Sequence, residues 1–318
     1  MINGILPVYK EKGFTSFDVV AKLRGILHQK KIGHTGTLDP DATGLLPICL
    51  GQATKLVDIM TDSKKEYVAS MLLGIRTDTL DISGKLLKED LSRVSMDDVK
   101  EALFEYIGES MQIPPMYSAL KVNGKKLYEL AREGVVVERK ARPIHIYDIE
   151  LLDDVNRYKG REIIEISNPN SIPKSGLEFS FRVVCSKGTY IRSLIDDLGN
   201  KLGCGACMTG LVRTKASGFD IDCALTLDEI ESLVTQGTLH ERIKSIDEVF
   251  KENIGLTLKE EFNYFVLNGN KLTSDMFEFS PEEFSGEKLY KIYTSDGEFK
   301  AVYYYRDEFL RPKFMFIN

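Results

Sequence analysis

Residues 33–47 read GHTGTLDPDATGLLP, and this stretch decides how the rest of the chain is understood. Asp39 and Asp41 supply two carboxylates and His34 an imidazole, while Gly33, Gly36, Pro40, Gly44 and Pro47 make the stretch too irregular for a helix or strand. Asp-x-Asp pairs hold divalent cations with phosphates, and paired carboxylates divide acid and base roles in glycoside chemistry. In extended chain, alternate side chains share a face about 6.5 Å apart, so these carboxylates converge only if the turn bends them together. Pro40 fixes its own φ and pushes Asp39 toward an extended conformation, which presents Asp39 rigidly. Three readings stay open here: a catalytic Asp39, a catalytic Asp41, or two aspartates that merely cap turns.

Working outward, TSFDVVAKLRGILHQKK opens with Thr15 three residues before Asp18, a capping-box pattern. It spaces Val19, Val20, Leu23, Ile26 and Leu27 at helical intervals. The predicted helix delivers a basic end to Gly33. Downstream, ATKLVDIMTDS predicts a short helix and EYVASMLLGIR a buried strand, so the opening stretch is placed as a loop between helices ahead of a core strand. SMDDVKEALFEYIG predicts a capped helix ending at Gly108. MQIPPMYSALKVNG is broken by two prolines and is a candidate binding loop. HIYDIELLD and LEFSFRVVCSKG predict strands, joined by an exposed, turn-rich connection over 156–176. In the second strand Phe179, Phe181, Val183 and Cys185 alternate with Ser180, Arg182 and Val184. YIRSLIDDLGNKLG predicts a helix with Arg192 in its first turn and Gly203 as its stop, and TLDEIESLVTQG a helix boxed by Thr226 and Glu229. Beyond Ser245 the chain turns acidic and aromatic, and LYKIYTSDGEFKAVYYY carries a hairpin signature around Asp296-Gly297. A small, mostly-β domain is predicted over 250–318, after a larger unit over 1–245.

At 318 residues there is room for a sizeable core, and 43% hydrophobic with 28% charged residues is ordinary for a soluble globular protein. No stretch approaches a membrane span, and the amino terminus lacks a charged region followed by a long apolar run; a cytoplasmic protein is expected. Five cysteines, an odd number scattered through a long chain, argue for reduced thiols. Cys204 and Cys207 have C-x-x-C spacing but no second pair to complete a zinc site, so they read as small buried thiols at a helix end, and no metal is expected.

A net charge of −6 argues against a polyanionic partner, but the average hides a segregation. From Lys121 to Arg142, seven basic residues (Lys121, Lys125, Lys126, Arg132, Arg139, Lys140, Arg142) meet three acidic ones. Lys22, Arg24, Lys30 and Lys31 occur with no acid between them, whereas beyond Ser245 there are 14 acidic and 9 basic side chains.

The stretch GHTGTLDPDATGLLPICLG resembles the catalytic motif of the bacterial tRNA pseudouridine(55) synthases, the TruB-type family. Further matches follow in the family's order: SKKEYVASMLLGIRTDTLDISG, PPMYSALKVNGKKLYELAREG, RKARPIHI, CSKGTYIRSLIDDLGNKLGCGA and LVRTKASGFD. Together they cover most of residues 5–235, and 250–318 resembles, more weakly, the small PUA-type RNA-binding domain. The resemblance implies an α+β fold, a mixed and mostly antiparallel sheet flanked by helices. It also implies an isomerase that converts uridine 55 of the tRNA T-loop to pseudouridine.

In that reaction the C1′–N1 bond breaks, the base rotates and C5 bonds to C1′, so no cofactor is expected. By the match Asp39 is the carboxylate at C1′, whether as nucleophile or on a glycal route, and Arg192 is its ion-pair partner. Residue types alone would instead pair Arg192 with Asp196 four residues on. Tyr67 corresponds to the tyrosine stacking on the uracil and Leu211 to the apolar residue on its other side. His34 fills the gap left when the base is extruded. Gly36 with Gly33 and Gly44 lets backbone approach nucleotides. The segment at about 112–142, with Lys121, Lys125, Lys126, Arg132 and Arg142, corresponds to a flexible RNA-gripping loop. The partner implied is the tRNA T-arm, with no guide RNA and no obligate protein partner; Asp41 becomes a bystander. Two departures stand out: YKEKGFTS where the family shows DKPxGxTS, which leaves Lys10 without an assigned role, and Val212 in place of an arginine.

Overall fold

The strand Gly4–Lys10 (GILPVYK) is buried along its whole length, because both of its faces are covered. Leu6 and Val8 pack with Leu46 and Ile48 under the helices Ser16–Ile26 and Leu227–Gln236, supplying Val19, Val20, Leu23 and Ile230. Ile5 faces the other way, into a cluster with Cys49, Ala53, Leu56 and Met60. Doubly covered strands show continuous apolar runs rather than alternation. The computed structural model describes residues 1–90, 94–152, 177–281 and 283–317. The connection predicted over 156–176 falls wholly outside them.

A nine-stranded sheet forms the frame. Its order along the main path is Gly4–Lys10, Thr43–Leu50, Ala206–Ala216, Lys65–Leu73, Glu178–Cys185, Arg142–Leu152 and Gly108–Gln112, with Ile32–His34 and Phe219–Asp220 pairing off it. Only the contact of Thr43–Leu50 with Ala206–Ala216 is parallel; the other pairs are antiparallel, so the mixed, mostly antiparallel sheet expected above is present. The predicted alternation in Glu178–Cys185 holds as well. Phe179, Phe181, Val183 and Cys185 enter the main core, while Arg182 on the opposite face reaches Glu66, Asp148 and Glu150.

The opening stretch departs from its expected shape. Gly33 and His34 end the short strand Ile32–His34, and Thr43–Leu50 is an eight-residue strand, leaving only 35–42 as loop. Pro47 does not break the strand because it lies opposite Pro7, where neither residue must donate to its partner. The two carbonyls turn outward instead and accept from Thr35 and Leu225 nitrogens at 3.1 and 3.0 Å. Gly44, with φ +104°, marks the parallel crossing: a Cβ there would stand 2.4 Å from the Arg213 carbonyl oxygen.

The predicted helices form with the caps read from sequence. Thr15, Ser95 and Thr226 each complete a capping box with Asp18, Asp98 and Glu229. The helix Met96–Phe104 ends before Gly108, which instead opens the strand Gly108–Gln112 with a positive φ of 110°. The predicted short helix is a 3-10 turn, Gly51–Leu56, running into Val57–Thr61. Cys204 and Cys207 are buried, as expected, but Cys207 lies within the strand Ala206–Ala216 rather than at a helix end.

A second sheet closes the chain: Ile254–Thr257, Leu289–Tyr293, Phe299–Arg306 and Phe309–Met315. The middle pair is the expected hairpin around Asp296-Gly297. One side of this sheet holds its own core around Leu258, Leu272, Ile292 and Tyr303. From its other side Val302 and Phe316 join Ile5, Ala53, Leu56 and Met60 of the first unit in one shared apolar cluster. Lys55 and Gln52 bond the Met315 and Ile317 carbonyls at 2.6 and 3.1 Å.

Candidate active site

Asp39 stands on the 35–42 loop, which is fastened from several sides. Ser16, the first residue of its helix, accepts from the Leu38 nitrogen at 2.9 Å. Lys10, wholly buried at the end of its strand, donates to the Pro40 carbonyl at 3.1 Å and to Phe14 and Glu11 carbonyls at 2.6 and 3.1 Å. Burial pushes the Lys10 ammonium down to about 8 despite the nearby charges of Asp39 and Asp41. The residue left without a role by the departure at Glu11 is thus a tether of the Asp39 loop.

The helix Ile191–Lys201 brings Arg192 to the same place. Its guanidinium is buried and lies 2.8 Å from Asp39 and 3.5 Å from Asp81. Further donors reach the Thr79 carbonyl at 3.2 Å and the Tyr117 carbonyl at 2.7 Å. The helix-surface pair of Arg192 with Asp196 does not form; Asp196 is held in a fork by Arg76 at 2.8 and 3.0 Å. Asp39 keeps 42% of its side chain accessible, so it is ion-paired and still open to the cleft. Burial in the cleft raises its pKa above the ordinary aspartate value; Arg192 pulls it down and Asp81 pushes it up. Asp41 points to solvent, and no ion pair is formed by it among the described residues.

Two neighbouring central strands supply one wall. Tyr67, on Lys65–Leu73, is buried, and Leu211, on Ala206–Ala216, packs in the same cluster as Tyr67, Leu38 and Ala42. Arg213 lies directly across the ladder from Tyr67. It is 1% exposed, donates to the Leu45 carbonyl at 2.8 Å and the Gly36 carbonyl at 3.3 Å, and its charge acts on the Tyr67 phenol. Gly36 takes φ +117°. His34 ends its strand just before this loop. Burial first, then the Arg213 charge, lowers its basicity, so the ring is neutral near pH 7, and its buried Nδ1 has no hydrogen-bond partner among the described residues.

The basic segment is less irregular than its prolines suggested. Asn123 and Gly124, both at positive φ, make a two-residue hairpin turn between Lys121–Val122 and Lys125–Lys126. The helix Leu127–Arg132 follows, with Tyr128 flanked by Lys126 and Arg132. Lys121, Lys125, Arg132 and Arg142 are exposed, Lys126 is half-buried, and Lys125 pairs loosely with Glu133 at 3.4 Å. The root of the segment is fixed to the helix Ile191–Lys201, through Tyr117 to Arg192 and through Ile113 to Ser193 at 3.0 Å.

The structure therefore brings Asp39, Arg192, Tyr67, Leu211, His34 and Gly36 around one cleft, with Asp41 pointing out to solvent. It adds Asp81, Lys10 and Arg213, which spacing had not singled out. Among the described residues no group of His, Cys, Asp and Glu could hold a metal ion, and no helix is long and apolar enough to cross a membrane.

Comparison with known proteins bears on this cleft. The sequence profile of the TruB family pseudouridylate synthase N-terminal domain matches residues 24–191, and that of the tRNA pseudouridylate synthase B C-terminal domain matches 192–251. The chain is 47% identical over 309 residues to tRNA pseudouridine synthase B of Lachnoclostridium phytofermentans, covering 96% of each chain. It is 45% identical over 274 residues to the protein of that name from Alkaliphilus oremlandii, covering 86% of this chain and 84% of that one. Among solved structures, a Cbf5-Nop10-Gar1 complex contains a chain 28% identical to this one, with a TM-score of 0.66 over 95% of this chain and 78% of that one. An H/ACA RNP bound to a substrate RNA containing 2′-deoxyuridine shares the fold, with a TM-score of 0.68 at 24% identity over 99% of this chain and 85% of that one. A buried arginine on a loop aspartate, on this sheet and with these relatives over nearly the whole length, places the chain in the TruB family of pseudouridylate synthases.

Proposed function

We propose that the protein is a stand-alone tRNA pseudouridine synthase that isomerises uridine 55 of the T-loop. The observation that carries this reading is the Asp39–Arg192 pair at 2.8 Å in a cleft open to water, in a chain 47% identical to a tRNA pseudouridine synthase B. The net reaction breaks C1′–N1, forms C1′–C5 and moves one proton from C5 to N1. It consumes nothing, so one well-placed carboxylate can serve. Asp39 acts at C1′, held by Arg192 in the geometry that an ion pair with fork donors fixes. Tyr67 and Leu211 sandwich the uracil while it is detached. His34, flat and neutral, fills the stack that the extruded base leaves. The tests that follow use single-turnover conversion of a T-arm hairpin, which separates chemistry from product release.

Lys121, Lys125, Lys126, Arg132 and Arg142 grip the phosphates of the T-arm. The sheet over 250–318 acts as a PUA-like RNA-binding unit. No guide RNA, protein partner or cofactor is needed, and the enzyme works in the cytoplasm. The experiment is incubation of purified protein with the isolated hairpin, followed by mapping of the modified position. Pseudouridine at position 55, unaffected by EDTA, is expected. Product only in the presence of a second RNA or a partner protein would overturn the stand-alone assignment, and strict dependence on Mg²⁺ with correctly folded RNA would overturn the metal-free chemistry.

A further inference from the structure

Arg213 is an unusual buried charge. At 1% exposure it lies among the most buried large side chains, yet it forms no ion pair with any carboxylate among the described residues. Its hydrogen bonds go to the Leu45 and Gly36 carbonyls, and the Tyr67 side chain lies directly across the ladder from it. Buried guanidinium groups are ordinarily paired with an anion, because desolvating a lone charge is expensive. Arg182 on the far face of the same sheet shows the usual arrangement, with three carboxylates around it. The charge of Arg213 is therefore balanced only by neutral dipoles, two from the walls of the base pocket. One is Tyr67, directly opposite on the neighbouring strand. The other is Gly36, two residues after His34 on the loop that continues to Asp39.

Guanidinium has donors and no acceptor. Beside Tyr67 it places positive charge near the phenol oxygen, to which it can only donate; burial pushes the phenol's pKa up and the Arg213 charge opposes that. Lys65, also buried and bonded only to Thr61 and Ser63 carbonyls at 2.7 Å, adds a second cation behind the loop.

We propose that Arg213 is a positioning residue that acts through Tyr67, holding the phenol oxygen against the detached base and favouring negative charge there while the proton leaves C5. This rests on the reading that Tyr67 faces the uracil. The net step is balanced: C5 gives up its proton after bonding to C1′, N1 gains one, and Arg213 neither gains nor loses any.

The test is a double-mutant cycle of Arg213→Lys and Arg213→Met with Tyr67→Phe, in single-turnover conversion of a T-arm hairpin carrying uridine or 5-deuteriouridine at the target. Far-ultraviolet circular dichroism checks each fold. Arg213→Met is expected to slow conversion at least tenfold, with Arg213→Lys between it and the parent, and both are expected to raise the 5-deuterium isotope effect. In the Tyr67→Phe background the same substitutions should change the rate less than twofold. A penalty that multiplies undiminished in that background, or an isotope effect unchanged by Arg213→Met, overturns the proposal. Where Arg213→Met does not fold, Arg213→Lys carries the cycle; if neither folds, Arg213 is a framework residue and the proposal fails. A wild-type rate for Tyr67→Phe alone would instead remove the role of Tyr67 on the base, while the Asp39 assignment would stand.

Discussion

Arg192 and Asp39 meet at 2.8 Å, one from the first turn of a helix and the other from a loop on a different part of the sheet. Neither is explained by its own neighbours in sequence. Asp196, the expected partner four residues along the helix, is taken by Arg76. Asp39→Asn should lower pseudouridine formation by at least four orders of magnitude in single turnover while T-arm binding changes less than threefold. Asp41→Ala, at an exposed position, should keep at least half of the parent rate; a loss as complete as that of Asp39→Asn would restore the carboxylate pair.

Removing Arg192 leaves two carboxylates, Asp39 and Asp81, without their shared cation. Breaking a fully buried pair from one side costs roughly 3–5 kcal/mol, but Asp39 is 42% accessible and water screens it, so Arg192→Met should lose less than that, about 1–3 kcal/mol, in urea titrations. Arg192→Lys should recover only part of this, because an ammonium cannot serve Asp39 and the Thr79 and Tyr117 carbonyls in one fork.

The acid side of the pH–rate profile should report Asp39. Its pKa is raised, with burial as the main cause and Arg192 opposing. The ionised form, and with it the rate, is therefore expected to be lost at a higher pH than for an ordinary aspartate as the solution is acidified. Arg192→Lys, with its charge farther away, should move that limb higher still; a limb at or below the ordinary carboxylate range would contradict the assignment. His34 is neutral near pH 7, so no histidine limb should appear there, and His34→Phe should retain more activity than His34→Ala.

Lys121→Ala and Arg142→Ala, at exposed positions, should weaken hairpin binding and shallow its salt dependence. Each lost phosphate contact removes about 0.7–0.9 from the slope of log K against log salt. Their melting temperatures should stay close to the parent's, and an unchanged slope would remove these side chains from the RNA contact.

Phe316 and Val302 sit in the cluster shared with Ile5, Leu56 and Met60. Phe316→Ala should cost about 3–5 kcal/mol, and thermal unfolding should stay a single transition. Two separated transitions would mean that the carboxy-terminal sheet melts by itself.

Much of this fold was legible in local pattern. Three capping boxes, the alternation of Phe179, Phe181 and Val183, and the Asp296-Gly297 hairpin all follow from contacts within a few residues, so the sequence carries them directly. Gly4–Lys10 and Ala206–Ala216 went unread as strands. Pro7 and Pro47 are tolerated because they face each other at a ladder position where neither nitrogen needs to donate across, and such a register across the sheet leaves no local trace. The strand Thr43–Leu50 inside the opening stretch leaves no local trace for the same reason. Asp39 was legible in its Pro-fixed setting, though not above Asp41 without the family resemblance. Arg213, Asp81 and Lys10 were not, because their partners are backbone carbonyls or groups that only the folded chain brings near. The Asn123-Gly124 signal in the basic segment was available and would have found its hairpin.

The Tyr117 carbonyl gives the arginine a further consequence. One planar fork spends its donors on Asp39, on the turn at Thr79 and on the root of the basic segment. A rigid group cannot follow three anchors in different directions, so a shift of that root must be absorbed by the contact to the aspartate. Segments borrowed from relatives to retune the choice of RNA would therefore be transplanted together with their kinetics, and only grafts that return the carbonyl of residue 117 to its place should leave the chemistry as it was.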